Sequence, residues 1–283
     1  MAIVNLETEK RSAMQPLTPD DLLIRTSTAE HDQMEEKAGV EDSPVVLERF
    51  QSLEKVIRDI PLTVDPYLEL AEIYIKSTRW LDAKRVLEKA IERFPENEKA
   101  NFLFEEAQLA RSVQLLQDAQ QLHDSQPTKL TDKSLQRCLL ELNVLREKVY
   151  RGRLGRHPDQ IGLNIPLAVA LENLGQRKEA IACLESAVVV PEFRSEAAYH
   201  LGQLYERAGE VTKALSLYRR AAMFRVPLPS VDARLRALAA AANLAQKSKM
   251  IDSAKRYLQM LVELQPENAV LKKRLSEIEA TPL

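Results

Sequence analysis

Apolar residues recur three, four and seven positions apart along most of the chain, and this spacing is typical of helices that bury one face. The pattern is clearest over residues 161–228, where two consecutive blocks of 34 residues place the same residue types at the same positions. The aligned pairs are Leu167/Leu201, Ala168/Gly202, Leu171/Tyr205, Gly175/Gly209, Ala180/Ala214, Leu184/Tyr218 and Ala187/Ala221. A fixed period of this length predicts a solenoid of stacked repeats.

Each block has this spacing on both sides of a glycine, which predicts two amphipathic helices joined by a tight turn. Gly175 and Gly209 fill the turn. The chain needs a positive φ just past a helix end, and a residue without a Cβ adopts it at almost no cost. We expect the two helices of each hairpin to cross at small residues, namely Ala168/Gly202 and Ala180/Ala214.

Two further blocks follow the same period. The block 64–97 carries Tyr67, Leu70, Ala71, Tyr74, Ala83, Leu87, Ala90 and Pro95, with Trp80 in its turn. A more divergent block, 235–268, keeps Leu238, Ala242, Ala254, Leu258 and Pro266. In that block Ala245 replaces the aromatic residue and Lys249 replaces the turn glycine.

These residues resemble the tetratricopeptide repeat (TPR) family, whose pattern is W-x2-L-G-x2-Y, then A-x3-F-x2-A, then P. The block 195–228 fits with Val226 in place of the final proline, and the block 161–194 departs at Asn164 and Pro191. The resemblance covers most of residues 45–280, and the chain is similar overall to bacterial TPR proteins. It implies an all-α fold, a TPR-like solenoid of helical hairpins that forms a right-handed superhelix.

The period also predicts the domain boundaries. Residues 1–43 are polar, acidic and aperiodic, so we expect a disordered leader that buries too little apolar surface to offset its ordering entropy; its short apolar cluster at 22–24 is a candidate docking segment for the groove. The predicted elements that follow are an N-terminal half-repeat helix at 44–63, TPRs at 64–97, 161–194 and 195–228, a divergent TPR at 229–268, and a C-terminal capping helix at 269–283. An elongated, irregular helical hairpin at 98–160 interrupts the period.

The hairpin is predicted from two long helical patterns with a turn near Pro127. Its apolar faces are Phe102, Leu109, Val113 and Leu116 on the first helix, and Leu135, Leu139, Leu142, Leu145 and Val149 on the second. These faces either pack onto the neighbouring repeats or form a dimerising coiled coil. The sequence leaves both open, and with them the oligomeric state.

Charge and cysteine content restrict the function. The formal charge of −2 argues against a bulk attraction to nucleic acid or to an anionic membrane. Cys138 and Cys183 match no metal or disulfide spacing, and no apolar run is long enough for a signal peptide or a membrane span. We therefore expect a cytoplasmic protein without a membrane partner.

One local cluster of charge offers an alternative. The basic residues are Arg146, Lys148, Arg151, Arg153, Arg156 and His157. They either contact phosphate groups or an acidic partner, or form a solvated helix face beside Glu141 and Glu147. No nucleic-acid motif accompanies them, so nucleic-acid binding is the weaker interpretation.

The chain carries no motif for catalysis, cofactor binding or metal binding. The four histidines are isolated, and no Gly-rich phosphate loop, nucleophile elbow or zinc-protease motif is present in the sequence. We expect no enzyme activity, no cofactor and no metal.

The family resemblance implies that the first helix of each repeat lines a concave groove for a partner. Carried over position by position, the groove residues are Ile165, Val169, Glu172, Asn173, Glu196, Tyr199, Gln203, Glu206, Arg207, Arg236, Asn243 and Lys247. Only Asn243 matches in part the clamp with which some members seize a peptide C-terminus. The sequence therefore predicts a scaffold that binds an extended or helical peptide or protein. The alternatives are self-assembly through the 98–153 hairpin and binding through the Arg146–His157 cluster.

Overall fold

The computed structural model describes residues 44–59 and 62–279, and all regular structure in these ranges is helical. The α-helices are α1 (Pro44–Arg58), α2 (Asp65–Lys76), α3 (Trp80–Arg93), α4 (Glu98–Ser125), α5 (Lys129–Arg156), α6 (Asn164–Asn173), α7 (Arg177–Val189), α8 (Arg194–Arg207), α9 (Val211–Met223), α10 (Val231–Lys247), α11 (Ile251–Leu264) and α12 (Ala269–Glu279). A short 3₁₀ helix, Ile161–Leu163, precedes α6. The all-α, TPR-like fold is confirmed. The predictions for residues 1–43 lie outside the described residues.

The chain divides into two compact units, Met1–Gln108 and Leu109–Leu283, with the boundary inside α4. In the first unit, α2 and α3 form the hairpin predicted for residues 64–97. The buried residues of that hairpin include the pattern positions Tyr67, Leu70, Ala71, Tyr74, Ala83, Leu87 and Ala90. Trp80 differs from the expectation, because it begins α3 and Thr78 occupies the turn.

Helix α1, in the segment where the sequence predicts a half-repeat, packs against α2. Leu53 is buried, as is Leu87 one period later, but Val56 is 44% exposed although it aligns with the buried Ala90. In a full repeat this position is covered by the preceding helix of the same hairpin, and no such helix precedes α1 within the described residues. Arg49 forms an ion pair with Glu69 of α2 at 2.6 Å.

The turns inside the four repeat hairpins share one geometry. The residue at the same position of each block has a positive φ: 58° at Thr78, 79° at Gly175, 77° at Gly209 and 58° at Lys249. In every case the next residue donates its N–H to the carbonyl five residues earlier, as Arg79 does to Tyr74 at 2.8 Å. This bond belongs to the Schellman motif, which satisfies carbonyls left open at a helix end. The period therefore specifies the turn even where glycine is missing.

In the second unit, α6 to α11 form three consecutive hairpins, each packed on the next. The first helices also contact one another, α6 with α8 and α8 with α10. Their cores are built from the small and large residues of the repeat pattern, including Ala168, Leu184, Ala214 and Tyr218. Helix α12 closes this core with Ile278, together with Leu271 and Leu275. Val270, at the start of α12, is exposed.

The central segment forms two 28-residue helices, α4 and α5, joined by a short connection at 126–128. Thr128 caps α5 through a reciprocal hydrogen-bond pair with Thr131. Leu142 and Val149 are buried as expected, whereas Phe102 and Leu139 are exposed. The apolar stripe predicted for these helices is therefore only partly covered.

Candidate partner-binding surface

The first helices of the three C-terminal hairpins bring together residues from one face of each repeat. Because α8 contacts both α6 and α10, side chains at equivalent positions on these helices lie next to one another. The sequence prediction can therefore be checked residue by residue.

Five of the predicted groove residues line a single cleft of about 300 Å³. They are Gln203, Glu206 and Arg207 on α8, and Asn243 and Lys247 on α10. Tyr218 and Ala240 complete the lining. Sequence reasoning missed Tyr218 because its position belongs to the core of the second helix, and only its hydroxyl end reaches the cleft.

Both charged residues that α8 contributes to the cleft, Glu206 and Arg207, are bound by neighbouring side chains. The Tyr218 hydroxyl donates to Glu206 Oε2 at 2.6 Å. Burial and this carboxylate raise the pKa of Tyr218, so the phenol stays protonated and remains a donor. Arg207 Nη1 lies 2.7 Å from Oε1 of Glu172 on α6. These contacts fix α8 between its neighbours.

The polar groups from α10 are more open to a ligand. Arg274 of the capping helix donates to Asn243 Oδ1 at 2.8 Å and also to Gln246 Oε1. The amide oxygen of Asn243 is therefore occupied, while its Nδ2 donor faces no acceptor among the described residues. Lys247 is exposed and has no carboxylate within ion-pair distance in the described part of the chain. Arg274 belongs to α12, and its long side chain reaches back to α10.

A polar and aromatic group flanks the cleft on α8. Gln203 Nε2 donates to the Tyr199 hydroxyl at 3.1 Å, and Gln203 Oε1 lies 3.0 Å from His200 Nδ1. The Arg236 guanidinium lies 5.8 Å from the centre of the Tyr199 ring. Burial lowers the pKa of His200, which keeps its ring neutral near pH 7.

The remaining predicted residues do not join the cleft. Ile165 is only 5% exposed and belongs to a core cluster that includes Tyr150 and Leu154 of α5, so its side chain does not line the cleft. Asn173 Nδ2 donates a hydrogen bond to Asn143 Oδ1 of α5 at 3.2 Å. Val169 is half-buried and Glu196 is exposed, and neither lines the cleft.

The basic cluster does not form one exposed cationic surface. Arg151 forms ion pairs with Glu147 at 3.0 Å and with Glu179 of α7 at 2.6 Å. Arg153 is buried. Two of the six basic residues are therefore paired or buried, and guanidinium groups in those positions are poorly placed to bind phosphate.

Within residues 44–59 and 62–279, no group of three or more His, Cys, Asp and Glu side chains is placed to hold a metal ion. No helix in those same ranges has the length and apolar content that a membrane span requires.

Comparison with known families agrees with the repeat pattern. Tetratricopeptide repeat models match residues 165–227 and 67–97. No curated protein matches the chain.

Among solved structures, the chain is similar to YrrB, described as a TPR protein with an unusual peptide-binding site. The two are 16% identical over 79% of this chain and 97% of YrrB, with a TM-score of 0.49. TTC0263, a thermophilic TPR protein of Thermus thermophilus, is 18% identical over 77% of this chain and all of its own, with a TM-score of 0.32. The Cut9–Hcn1 hetero-tetramer of the APC/C is 14% identical over 82% of this chain and 46% of that one, with a TM-score of 0.40.

Proposed function

The chain is a tetratricopeptide repeat protein, and we propose that it is a non-enzymatic scaffold that binds a segment of a partner protein in the cleft between α8 and α10. The observation that carries the proposal is that Gln203, Glu206, Arg207, Asn243 and Lys247, taken from two successive repeats, line one cleft. A scaffold of this kind needs a rigid surface with a few open polar groups, since side chains already ordered lose little entropy on binding.

The contacts within the cleft indicate what the partner segment contributes. Glu206 and Arg207 are already bound by Tyr218 and Glu172, and they form its walls. The Asn243 amide donor and the Lys247 ammonium remain for the ligand. We infer that the partner places hydrogen-bond acceptors here, from an extended backbone or from polar side chains.

A charge reversal at Lys247 tests the proposal. Proteins captured from the native cell extract by the wild-type chain would be purified, and their binding to variants measured by calorimetry. Lys247→Glu combined with Asn243→Ala is expected to weaken binding at least tenfold. Lys272→Glu, at another exposed lysine on α12, is the matched control and should leave the affinity unchanged. Equal affinity of all three proteins, with unchanged circular dichroism, would rule out the cleft.

Self-assembly through α5 is a second candidate, supported by a different observation. Leu140 and Val144 lie one turn apart on α5 and are 55% and 51% exposed, and Leu139 beside them is also exposed. Adjacent exposed aliphatic residues are common at protein contacts. Sedimentation velocity should show a dimer in the wild type and a monomer in Leu140→Glu/Val144→Glu. A wild-type monomer at high concentration would exclude this candidate.

A further inference from the structure

The connection between α9 and α10 carries a dense group of exposed apolar side chains. Met223 is 50% exposed, Val226 74%, Leu228 68% and Val231 56%; we call these four residues the 223–231 patch. The patch lies in the second unit, at the ends of α9 and α10 rather than in the cleft, which none of its residues lines. It is therefore a separate surface.

The fold does not require this connection to be long or apolar. The chain leaves a repeat hairpin through residues 94–97 after α3 and through residues 265–268 after α11, and both connections contain Pro-Glu-Asn. In each of them the asparagine side chain accepts a backbone N–H that opens the next helix. Between α9 and α10, residues 224–230 replace this short polar link, although Ser230 supplies an ordinary helix cap.

Contacts with neighbouring side chains hold the segment that carries the patch. The Arg194 guanidinium lies 4.6 Å from the centre of the Phe224 ring, and the Arg220 guanidinium lies 5.9 Å from it. Ser195 Oγ donates to the Ala221 carbonyl at 2.7 Å, which ties the start of α8 to the end of α9. Val189 aligns with Met223 one period earlier and is 81% exposed, so the preceding connection presents an apolar residue at the same edge.

The charge around the patch is positive although the whole chain is slightly acidic. Residues 219–234 contain four arginines and one aspartate, against a formal charge of −2 for the full chain. Arg219, Arg220 and Arg225 are exposed, and no carboxylate among the described residues lies within ion-pair distance of them. An apolar centre flanked by unpaired cations is complementary to a surface that combines aliphatic or aromatic groups with carboxylates.

We propose that the 223–231 patch is a second docking surface, which binds an acidic segment of a partner protein that carries large apolar residues. A lipid surface is the less suitable occupant, since the net charge gives no general attraction to anionic membranes and the patch has no exposed aromatic residue to anchor at the interface. With the cleft and the patch on one chain, the scaffold could hold two partners at once.

Selection from a random-peptide display library tests this proposal with a defined probe. The full chain is the bait, and Val226→Ser/Leu228→Ser/Arg225→Gln is the counter-selection bait. We expect the peptides enriched on the wild type and lost on this variant to carry net negative charge and at least two large apolar residues. Synthetic versions should bind the variant at least tenfold more weakly than the wild type in fluorescence anisotropy.

Two controls separate the patch from other surfaces. Leu140→Ser/Val144→Ser removes comparable exposed apolar groups from α5 and should retain full binding. Lys247→Glu/Asn243→Ala should also retain it, so failure of the cleft proposal and failure of the patch proposal give different results.

Three outcomes would overturn the proposal. The first is that no peptide distinguishes the two baits, and the second is that the enriched peptides are basic or wholly polar. The third is that phosphatidylserine vesicles bind the wild type, lose binding to the patch variant, and compete with no enriched peptide. In that case the occupant would be a membrane.

Discussion

Gly202 on α8 lies directly against the ring of Tyr218 on α9: a Cβ built at Gly202 would come within 2.6 Å of Tyr218 Cε1. The ring cannot easily move, because Tyr218 is 1% exposed and its hydroxyl is held by Glu206. The glycine is therefore needed for close approach of the two helices.

We predict that Gly202→Ala destabilises the chain by about 1–3 kcal/mol, the usual cost of overpacking a core. Urea unfolding followed by circular dichroism measures this change. The matched control is Gly155→Ala on α5, where an added Cβ meets nothing within 4 Å. That substitution should stabilise the protein by about 0.5–1 kcal/mol, since alanine is favoured over glycine inside a helix. Equal effects of the two substitutions would contradict the packing argument.

A second prediction concerns Thr78. This residue has a φ of 58° in a turn where the C-terminal repeats place Gly175 and Gly209. A β-branched residue is strained there, so Thr78→Gly should increase the free energy of unfolding by about 1 kcal/mol. Glycine also makes the unfolded chain more flexible, which lowers the free energy of unfolding. The net effect is still a gain, because the relief of backbone strain is larger than this entropy effect.

The adjacent Ser77 supplies the control for Thr78. Ser77 has a φ of −86°, which any residue adopts. Ser77→Gly should therefore lower the free energy of unfolding by about 0.4–1 kcal/mol, through the unfolded state alone. A stabilising effect of both glycines in urea titrations would show that φ is not the cause.

Much of this fold could be predicted from the sequence because the period specifies packing. Ala180, Ala214 and Ala254 recur at the same position and are fully buried in the structure, and the turn geometry holds even at Lys249. The period reports which residues face the neighbouring hairpin, so the core and the helix bounds follow from it.

The candidate site was less predictable, since its contacts join residues that the period does not relate. Ile165 occupies a groove position of the repeat but is buried in a core cluster that includes Tyr150 and Leu154 of α5, a helix outside the repeat pattern. Arg274 reaches Asn243 from the capping helix, and no spacing rule relates the two. Most differences between the predicted and the observed site therefore come from long side chains and from helices outside the repeat pattern.

A third prediction uses the pH dependence of stability. Burial lowers the pKa of His200 in the folded protein; the hydrogen bond with Gln203 and the charges of Glu196 and Glu172 oppose this shift, and the charge of Arg236 adds to it. As the pH falls, His200 is therefore protonated in the unfolded chain, at a pH of about 6.5, before it is protonated in the folded protein. Stability should be full above that pH and fall as the pH drops below it, until the folded ring is protonated as well.

The comparison with His200→Gln isolates this effect from the carboxylates, which titrate in both proteins. The wild type should lose more of its free energy of unfolding between pH 7.5 and pH 5 than the variant does. Urea titrations at a series of pH values in that interval measure the difference. Parallel curves for the two proteins would show that burial of His200 has no effect on its protonation.

The last prediction concerns Asn143, which connects α5 to α6. Its side chain is 1% exposed, donates to the Leu139 carbonyl at 2.7 Å, and accepts from Asn173 Nδ2 of α6 at 3.2 Å. Asn143→Ala removes both hydrogen bonds and opens a small cavity, so we expect a loss of about 1–3 kcal/mol. Asn173→Ala should cost less, because Asn173 is exposed and water can replace its amide.

A double-mutant cycle in urea should give a coupling of about 0.5 kcal/mol or more between the two residues. Strict additivity would mean that the two amides do not interact, and that α5 is held on α6 by apolar packing, as in the core cluster that contains Ile165 of α6 together with Tyr150 and Leu154 of α5.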